Sequence, residues 1–205
     1  MPTATALCGF IAVAAVVLLM PGPSVVFVMT RSIERGRQAG IYSMLGLETG
    51  ALLHAVATAA GLSALLASFD LAVTLLRVAG AAYLLYLGAE TILKRGDWGQ
   101  SSTASSRRSR YFCDGVLIDL LNPKTALFFI AFLPQFVQVE HGQPALQLLT
   151  FGLVFVIMAA VCDSTYVLVA HRAARRIRES PRLCNRADVV SGGAYVVLAG
   201  SIALL

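Results

Sequence analysis

The sequence is short of charged residues, and this shortage is its most informative feature. Lys, Arg, Asp and Glu together make up 13% of the 205 residues, against the ~25% that is usual for soluble domains. Hydrophobic residues account for 58%. So little charge cannot give a folded core a surface compatible with water. The composition therefore excludes an ordinary soluble domain and predicts an integral membrane protein.

Cysteine and histidine are also scarce. The four cysteines include no CxxC pair, and the three histidines are scattered along the chain. This pattern argues against a disulfide relay and against a metal site, and we expect no cofactor. No Lys or Arg precedes Phe10, so we do not expect a cleaved signal peptide.

An enzyme is not expected either. An intramembrane aspartyl protease would need two aspartates on separate spans, as Asp119 and Asp163 are. Their flanks read LIDLL and VCDST and lack the YD and GxGD motifs of that class.

Long apolar runs fill most of the chain. A spanning helix needs ~20 mainly apolar residues, and six stretches satisfy this requirement. They are residues 4–30, 39–68, 71–93, 111–139, 145–170 and 188–205. We therefore predict an all-α integral membrane protein with six transmembrane helices.

The basic residues concentrate in alternate links. Fourteen of the 16 Lys and Arg residues follow the first, third or fifth predicted span. Cytoplasmic loops carry such an excess of positive charge, so we predict cytoplasmic basic loops and both termini outside. The net charge of +5 is thus explained by membrane orientation, and we expect no nucleic-acid partner.

The Ser- and Gly-rich segment 95–110 divides the chain into two halves. We predict that it is a flexible cytoplasmic linker within a single transporter domain, residues 1–205. Residues 1–94 and 111–205 then form two three-helix repeats. Two units with an odd number of spans point in opposite directions, which is the inverted-repeat plan of many transporters.

Two proline motifs interrupt apolar spans: PGP at residues 21–23 and NPK at residues 122–124. Pro123 has no N–H, so the carbonyl of Asp119 loses its helical donor. Such backbone survives in a membrane only where it lines protein or a wet cavity. Because the motifs lie at corresponding positions of the two halves, we predict that helices 1 and 4 are broken at a substrate site. The alternative is that the prolines only kink the helices for packing.

The predicted spans also contain buried charges. Each charge costs about 2.5–3.5 kcal/mol at the bilayer centre, so each needs a partner or a wet cavity. Helical counting places Glu48, Asp119 and Asp163 in one layer with PGP, and Arg77 and Lys124 in a second layer further out. Two roles stay open for Lys124, because it can bind a substrate carboxylate or pair with Asp119 or Asp163 to fix the helices.

Small residues recur on the second and third spans and predict close helix packing. The packing positions are Gly46, Gly50, Gly61, Gly80 and Gly88. The stretch FFIAFLPQF, residues 128–136, is predicted to be an aromatic anchor at the outer interface.

The segments around PGP and NPK, residues 20–50 and 120–136, resemble the LysE/RhtB family of amino-acid exporters. Residues 78–88 and 191–205 support the resemblance, which covers nearly the whole chain outside 95–110. Residues 46–54 are most similar to the homoserine/threonine branch. The chain departs from the family pattern at Glu48, where a neutral residue is typical, and at Ser24, where Asn or Asp is common.

The resemblance implies export of amino acids across the inner (plasma) membrane in exchange for protons, often as a homodimer. Substrates would be neutral amino acids such as homoserine, threonine or leucine. The alternative is an exporter of another small solute or of a metal cation from the same superfamily.

The predicted site follows from these observations together. The expected substrate-binding residues are Pro21, Gly22, Pro23, Ser24, Asp119, Asn122, Pro123 and Lys124. Asp163, Glu48 and His54 are the candidates for proton coupling. Asp163 is preferred to Glu48 because it matches the family's acidic position, whereas His54 can instead be hydrogen-bonded between helices.

Overall fold

The computed structural model describes residues 2–20, 22–61, 70–93, 104–177 and 181–203. Eight α-helices and no strands occur in these ranges, so the all-α prediction is confirmed. The helices are α1 Ala4–Leu19, α2 Pro23–Arg35, α3 Arg37–Ala59, α4 Asp70–Leu93, α5 Ala104–Leu120, α6 Pro123–Leu127, α7 Pro144–Ile177 and α8 Pro181–Ala203. Phe128–Phe132 is π-helical, and Leu133–Phe136 and Val139–His141 are 3-10 turns.

The described helices contain clear membrane-spanning candidates. Pro144–Ala174 is long and apolar enough to cross a bilayer alone, and each of two bent helix pairs qualifies when it is taken as one span. No other helix of the described ranges qualifies, and α4 contains only a shorter apolar stretch, Val78–Leu93. The polar residues of α3, among them Glu48 and His54, lower its hydropathy. The six-span arrangement therefore stays a prediction.

Both predicted breaks are present. The first lies between α1 and α2, which are bent by 52°, and the second separates Arg108–Leu120 from Pro123–Phe136 by 49°. Pro23 and Pro123 each occupy the first turn of the helix that follows, where a missing N–H costs nothing. Pro21 lies outside the described residues.

Several links that were predicted to be loops are helical. Only Gly36, with φ of 91°, separates α2 from α3, so the basic link after the first span is almost entirely helix. In the same way, α7 continues to Ile177 and α8 begins at Pro181. Residues 104–110 of the predicted flexible linker belong to α5, and residues 95–103 lie outside the described residues. Apart from Pro181, which occupies the first position of α8, these helical extensions contain no Pro or Gly, so nothing within them stops the helix.

Glycines bring α3 and α5 into backbone contact. A Cβ atom on Gly46 would overlap the carbonyl oxygen of Phe112, and one on Gly50 would lie 2.7 Å from the Cβ of Asp119. Helix axes can approach this closely only where side chains are absent. The contact at Gly50 also fixes the position of Asp119.

The other predicted packing glycines divide into two groups. A Cβ on Gly80 would meet the carbonyl of Leu121 at 2.5 Å, and one on Gly88 would meet that of Gly192 at 3.0 Å. Gly61 shows no such contact with the described part of the chain, since no described atom lies within 4 Å of its Cβ position. Gly61 instead follows the end of α3 with φ of 81°, a conformation that glycine adopts without strain.

An aromatic cluster joins α1, α7 and the turns after α6. Phe10, Phe128, Phe129, Phe151 and Phe155 are all less than 5% exposed, and the Phe10 and Phe151 ring centroids are 4.9 Å apart. The predicted interface anchor at residues 128–136 is therefore wrong for its two buried phenylalanines. They pack inside the protein, since the bend at NPK turns this segment toward α1 and α7.

Candidate functional site

A cavity of about 50 Å³ lies where the two breaks meet. Because one water needs ~10–15 Å³ measured in this way, the cavity holds a few waters and must widen to hold a larger molecule. Most of its polar lining comes from residues singled out in the sequence. These residues are Gly22, Ser24, Glu48, Asp119, Asn122, Lys124 and Asp163.

Asp119 is the centre of a hydrogen-bond network that joins the two breaks. Its Oδ1 accepts from Thr125 Oγ1 at 3.0 Å and from Ser24 Oγ at 3.3 Å. Ser24 Oγ in turn accepts from Asn122 Nδ2 at 2.9 Å. Thr125 was missed by the sequence reasoning, although a hydroxyl directly after NPK was a usable signal. The network satisfies Oδ1 of Asp119, whereas Oδ2 has no hydrogen-bond partner within the described part of the chain.

Three buried carboxyl groups line this one cavity. Glu48, Asp119 and Asp163 are 9%, 4% and 8% exposed. Both carboxyl oxygens of Glu48 and Oδ2 of Asp119 have no hydrogen-bond partner among the described residues. A buried carboxylate without a partner is costly, so the cavity is suited to bind cations or protons.

Lys124 faces the same cavity, which corrects the prediction of a separate cationic layer. Its Nζ donates to the carbonyl oxygen of Met20 at 2.5 Å, so the Lys124 side chain connects the second break to the first. Helical counting failed here because the bend at NPK redirects α6. The other predicted member of that layer was Arg77, whose side chain lies outside the described part of the structure.

His54 does not line the cavity. Its Nε2 lies 3.3 Å from the carbonyl oxygen of Asp119. Pro123 cannot supply the usual helical donor to this carbonyl, which also accepts from the backbone N–H of Asn122 at 3.0 Å. The ring also stacks on Phe129, with centroids 5.8 Å apart. This geometry matches the interhelical hydrogen bond that the sequence left open as an alternative to proton transfer.

The two breaks differ in how their second helices begin. The first turn of α6 is capped by the side chain of Asn122, whose Oδ1 accepts from the backbone N–H of Lys124 at 3.0 Å. The first turn of α2 follows Gly22 and has no side-chain cap. The start of α2 at Ser24 and Val25 lines the cavity, so uncapped N–H groups are available there.

An ion network lies further along α2 and α5, on the side of the basic links. Arg31 is 3.4 Å from Asp114, which also accepts from the Tyr83 hydroxyl at 3.0 Å. Arg110 pairs with Glu90 on α4 at 2.5 Å. Arg31 was counted as a link residue, but it is only 7% exposed. It therefore joins helices rather than marking a loop.

These observations define a class of protein: a helical membrane protein with a polar, carboxyl-lined cavity at two paired helix breaks. Within the described residues, no group of three His, Cys, Asp or Glu side chains is placed to hold a metal ion.

Sequence comparison identifies the family. Residues 15–204 match the LysE type translocators, and the chain belongs to this family of multi-pass membrane proteins. It is 31% identical over 186 residues to the homoserine/homoserine lactone efflux protein of Salmonella typhimurium, covering 90% of this chain and 89% of the relative.

Two further relatives match over a similar share of the chain. The leucine efflux protein of Klebsiella pneumoniae is 26% identical over 192 residues, covering 92% of this chain and 90% of the relative. An uncharacterized membrane protein of Bacillus subtilis is 29% identical over 184 residues, covering 85% and 87%. No solved structure matches this chain.

Proposed function

We propose that this protein is a secondary transporter that exports amino acids from the cytoplasm in exchange for protons. The observation that carries the proposal is the cavity between the broken helices, where buried carboxyl groups face an uncapped helix start. Membership of the LysE translocators and relatives named as homoserine and leucine efflux proteins support it.

The cavity offers separate partners for the two charges of an amino acid. The ammonium group suits the carboxyl groups of Glu48, Asp119 and Asp163. The carboxylate suits the first turn of α2, where free N–H groups and the helix dipole favour an anion. The other half-helix start is less suitable because Asn122 already caps it.

Proton coupling follows from the charge balance of the cavity. Lys124 supplies one positive charge against three carboxyl groups, and unpaired charges are expensive away from water. Substrate ammonium and protons can supply the remaining positive charge in turn. We assign the proton-coupling role first to Asp163, then to Glu48. His54 has the weakest support, because its ring is bonded to a backbone carbonyl outside the cavity.

We also propose the finer architecture. Six spans form two inverted three-helix repeats, residues 1–94 and 111–205, within one transporter domain. The similar bends of 52° and 49° at corresponding places support this plan. By the positive-inside rule the basic links face the cytoplasm and both termini face outward in the inner membrane. We also propose a homodimer, and this part of the proposal rests on the family resemblance alone.

The substrate is proposed to be a neutral amino acid like those in the relatives' names. The test uses inverted membrane vesicles from cells that express the protein, with an acidic lumen and labelled homoserine, threonine and leucine outside. We expect at least one of them to accumulate in the lumen and to be released when the pH gradient is collapsed.

Vesicles with the Asp119→Asn variant provide the control, and we expect accumulation to fall at least tenfold. The proposal would be contradicted if no amino acid of a full labelled panel accumulated above the level of vesicles that lack the protein.

A further inference from the structure

We infer that Glu48 is a specificity-determining residue, whose carboxyl group accepts a hydrogen bond from the side chain of the transported amino acid. The site then selects amino acids whose side chain ends in a hydroxyl or amino group over aliphatic ones of the same size. This role rests on the proposed function, because it adds a second contact to the same substrate.

Glu48 lies apart from the polar groups at the two breaks. Gly50, which packs against Asp119 on α5, is two residues further along α3, and two residues turn a helix by about 200°. Glu48 therefore belongs to a different side of α3 from the one that meets α5. The hydrogen bonds that join the residues of the breaks do not include it.

Glu48 lies instead on the stripe of α3 that packs against α7. Its neighbours on this stripe touch α7 in both directions along the helix. The contacts are Gly40 with Val167, Met44 with Ser164, and Ala55 with Gly152. Residue numbers rise along α3 as they fall along α7, so the two helices are antiparallel. Because both helices rise equally per residue, these contacts place Glu48 level with Ala159.

The Glu48 carboxyl group is buried at this level without a donor. The residue is 9% exposed, and both carboxyl oxygens lack a hydrogen-bond partner in the ranges that the structure describes. Ala51 and Ala159 line the cavity beside it, and their methyl groups cannot donate. A buried carboxylate without a partner is costly. A substrate that fills the cavity excludes water, so the substrate itself must then supply the donor.

The side chain is the part of the substrate that remains for Glu48. In the proposed binding mode the start of α2 holds the carboxylate, and Asp119 is available at the breaks for the ammonium. The rest of the cavity lining comes from α1, α3 and α7, and it is apolar apart from Glu48 and Asp163. A side chain that leaves the breaks therefore meets an apolar wall with a carboxyl acceptor in it. Asp163 keeps the first place for proton coupling.

Three amino acids with side chains of equal length test this role. Homoserine, 2,4-diaminobutyrate and norvaline end in a hydroxyl, an ammonium and a methyl group. Counterflow of each labelled amino acid is measured in proteoliposomes without a pH gradient, so that a change in proton coupling does not enter the comparison. We expect the wild type to favour homoserine or diaminobutyrate over norvaline by about tenfold or more, because a site built for a donor rejects the isostere that lacks one.

Glu48→Met replaces the carboxyl group with an apolar side chain of similar length. We expect it to abolish the preference over norvaline. Thr49→Val is the matched control, because the Thr49 hydroxyl bonds within α3, to the carbonyl of Leu45 at 2.8 Å, and the preference should persist. If Glu48→Met does not fold or transport, the isosteric Glu48→Gln replaces it. A hydrogen bond to a neutral acceptor is weaker, so the preference should then fall.

The possible outcomes separate this role from the proposed function. Equal counterflow of all three amino acids in the wild type, or an unchanged preference in an active Glu48 variant, would overturn the role of Glu48 while leaving amino-acid transport intact. Absence of counterflow for these three and for a full labelled panel would contradict the proposed function, and the role of Glu48 with it.

Discussion

Replacing Gly50 on α3 with alanine should disturb the site, because Gly50 packs directly against Asp119 on α5. The new Cβ would lie 2.7 Å from the Cβ of Asp119 and 3.1 Å from the carbonyl oxygen of Val116. Carbon atoms normally stay ~3.5–4.0 Å apart, so α3 and α5 must separate by about 1 Å. Asp119 cannot yield by rotating, because its Cβ is fixed to the backbone.

The change in the free energy of unfolding of Gly50→Ala follows from two opposing effects. Overpacking of this kind costs typically 1–3 kcal/mol, while alanine in a helix interior gains ~0.5–1 kcal/mol over glycine. The expected net loss is about 1–2 kcal/mol, or a fall in melting temperature of roughly 2–8 °C for a chain of this size. Transport should fall much further, about tenfold or more, because a displacement near 1 Å disrupts a positioned polar group.

The measurement compares Gly50→Ala with Gly193→Ala in detergent melting and in vesicle transport. Gly193 also lies within a helix, but no described atom is within 4 Å of its Cβ position. The control should therefore be as stable as the wild type or slightly more stable, with unchanged transport. If both variants behaved alike in both assays, the close approach of α3 to Asp119 would be refuted.

Two further substitutions test the charges of the protein. Asp163→Asn should abolish accumulation driven by a pH gradient in vesicles. The control Glu140→Gln makes the same change of carboxyl to amide at an exposed residue and should leave accumulation intact. Undiminished proton-driven transport in Asp163→Asn would exclude Asp163 as the proton carrier. Arg31→Met should lower the free energy of unfolding by about 1–3 kcal/mol, because Asp114 then loses its 3.4 Å cationic partner and keeps, among the described residues, only Arg110 at 4.0 Å. A second change, Asp114→Asn, should recover part of the folded yield, and an additive loss would show that the two residues do not interact.

The breaks could be predicted from sequence because their cause is local. A proline lacks an N–H and blocks the preceding helical turn, so PGP and NPK predict broken helices without any tertiary information. The same applies to Gly46 and Gly50, since their spacing places them on one face of α3. Gly61 shows the limit of this reasoning, because a glycine of the same register can equally end a helix.

The direction in which a broken helix continues could not be predicted. Counting residues along a straight axis placed Lys124 in a layer away from the carboxyl groups, but the 49° bend turns it onto Met20. The burial of Arg31 was missed for a related reason. A basic residue that follows an apolar run is usually taken to lie in a loop. Only the contact with α5 shows that Arg31 has a partner inside the protein.

The cavity lies near two regions of opposite chemistry. Along α1 and α7 it meets the aromatic cluster, where Phe155 lines the cavity directly. The ion network of Arg31 and Asp114 lies further along α2 and α5, beyond the residues that line the cavity. Separating aromatic side chains exposes apolar surface at about 25 cal/mol per Å², and separating the Arg31–Asp114 pair leaves largely buried charges without their partners. Opening the cavity in either direction therefore costs free energy, and we expect the contacts that a substrate makes at the two breaks to offset that cost.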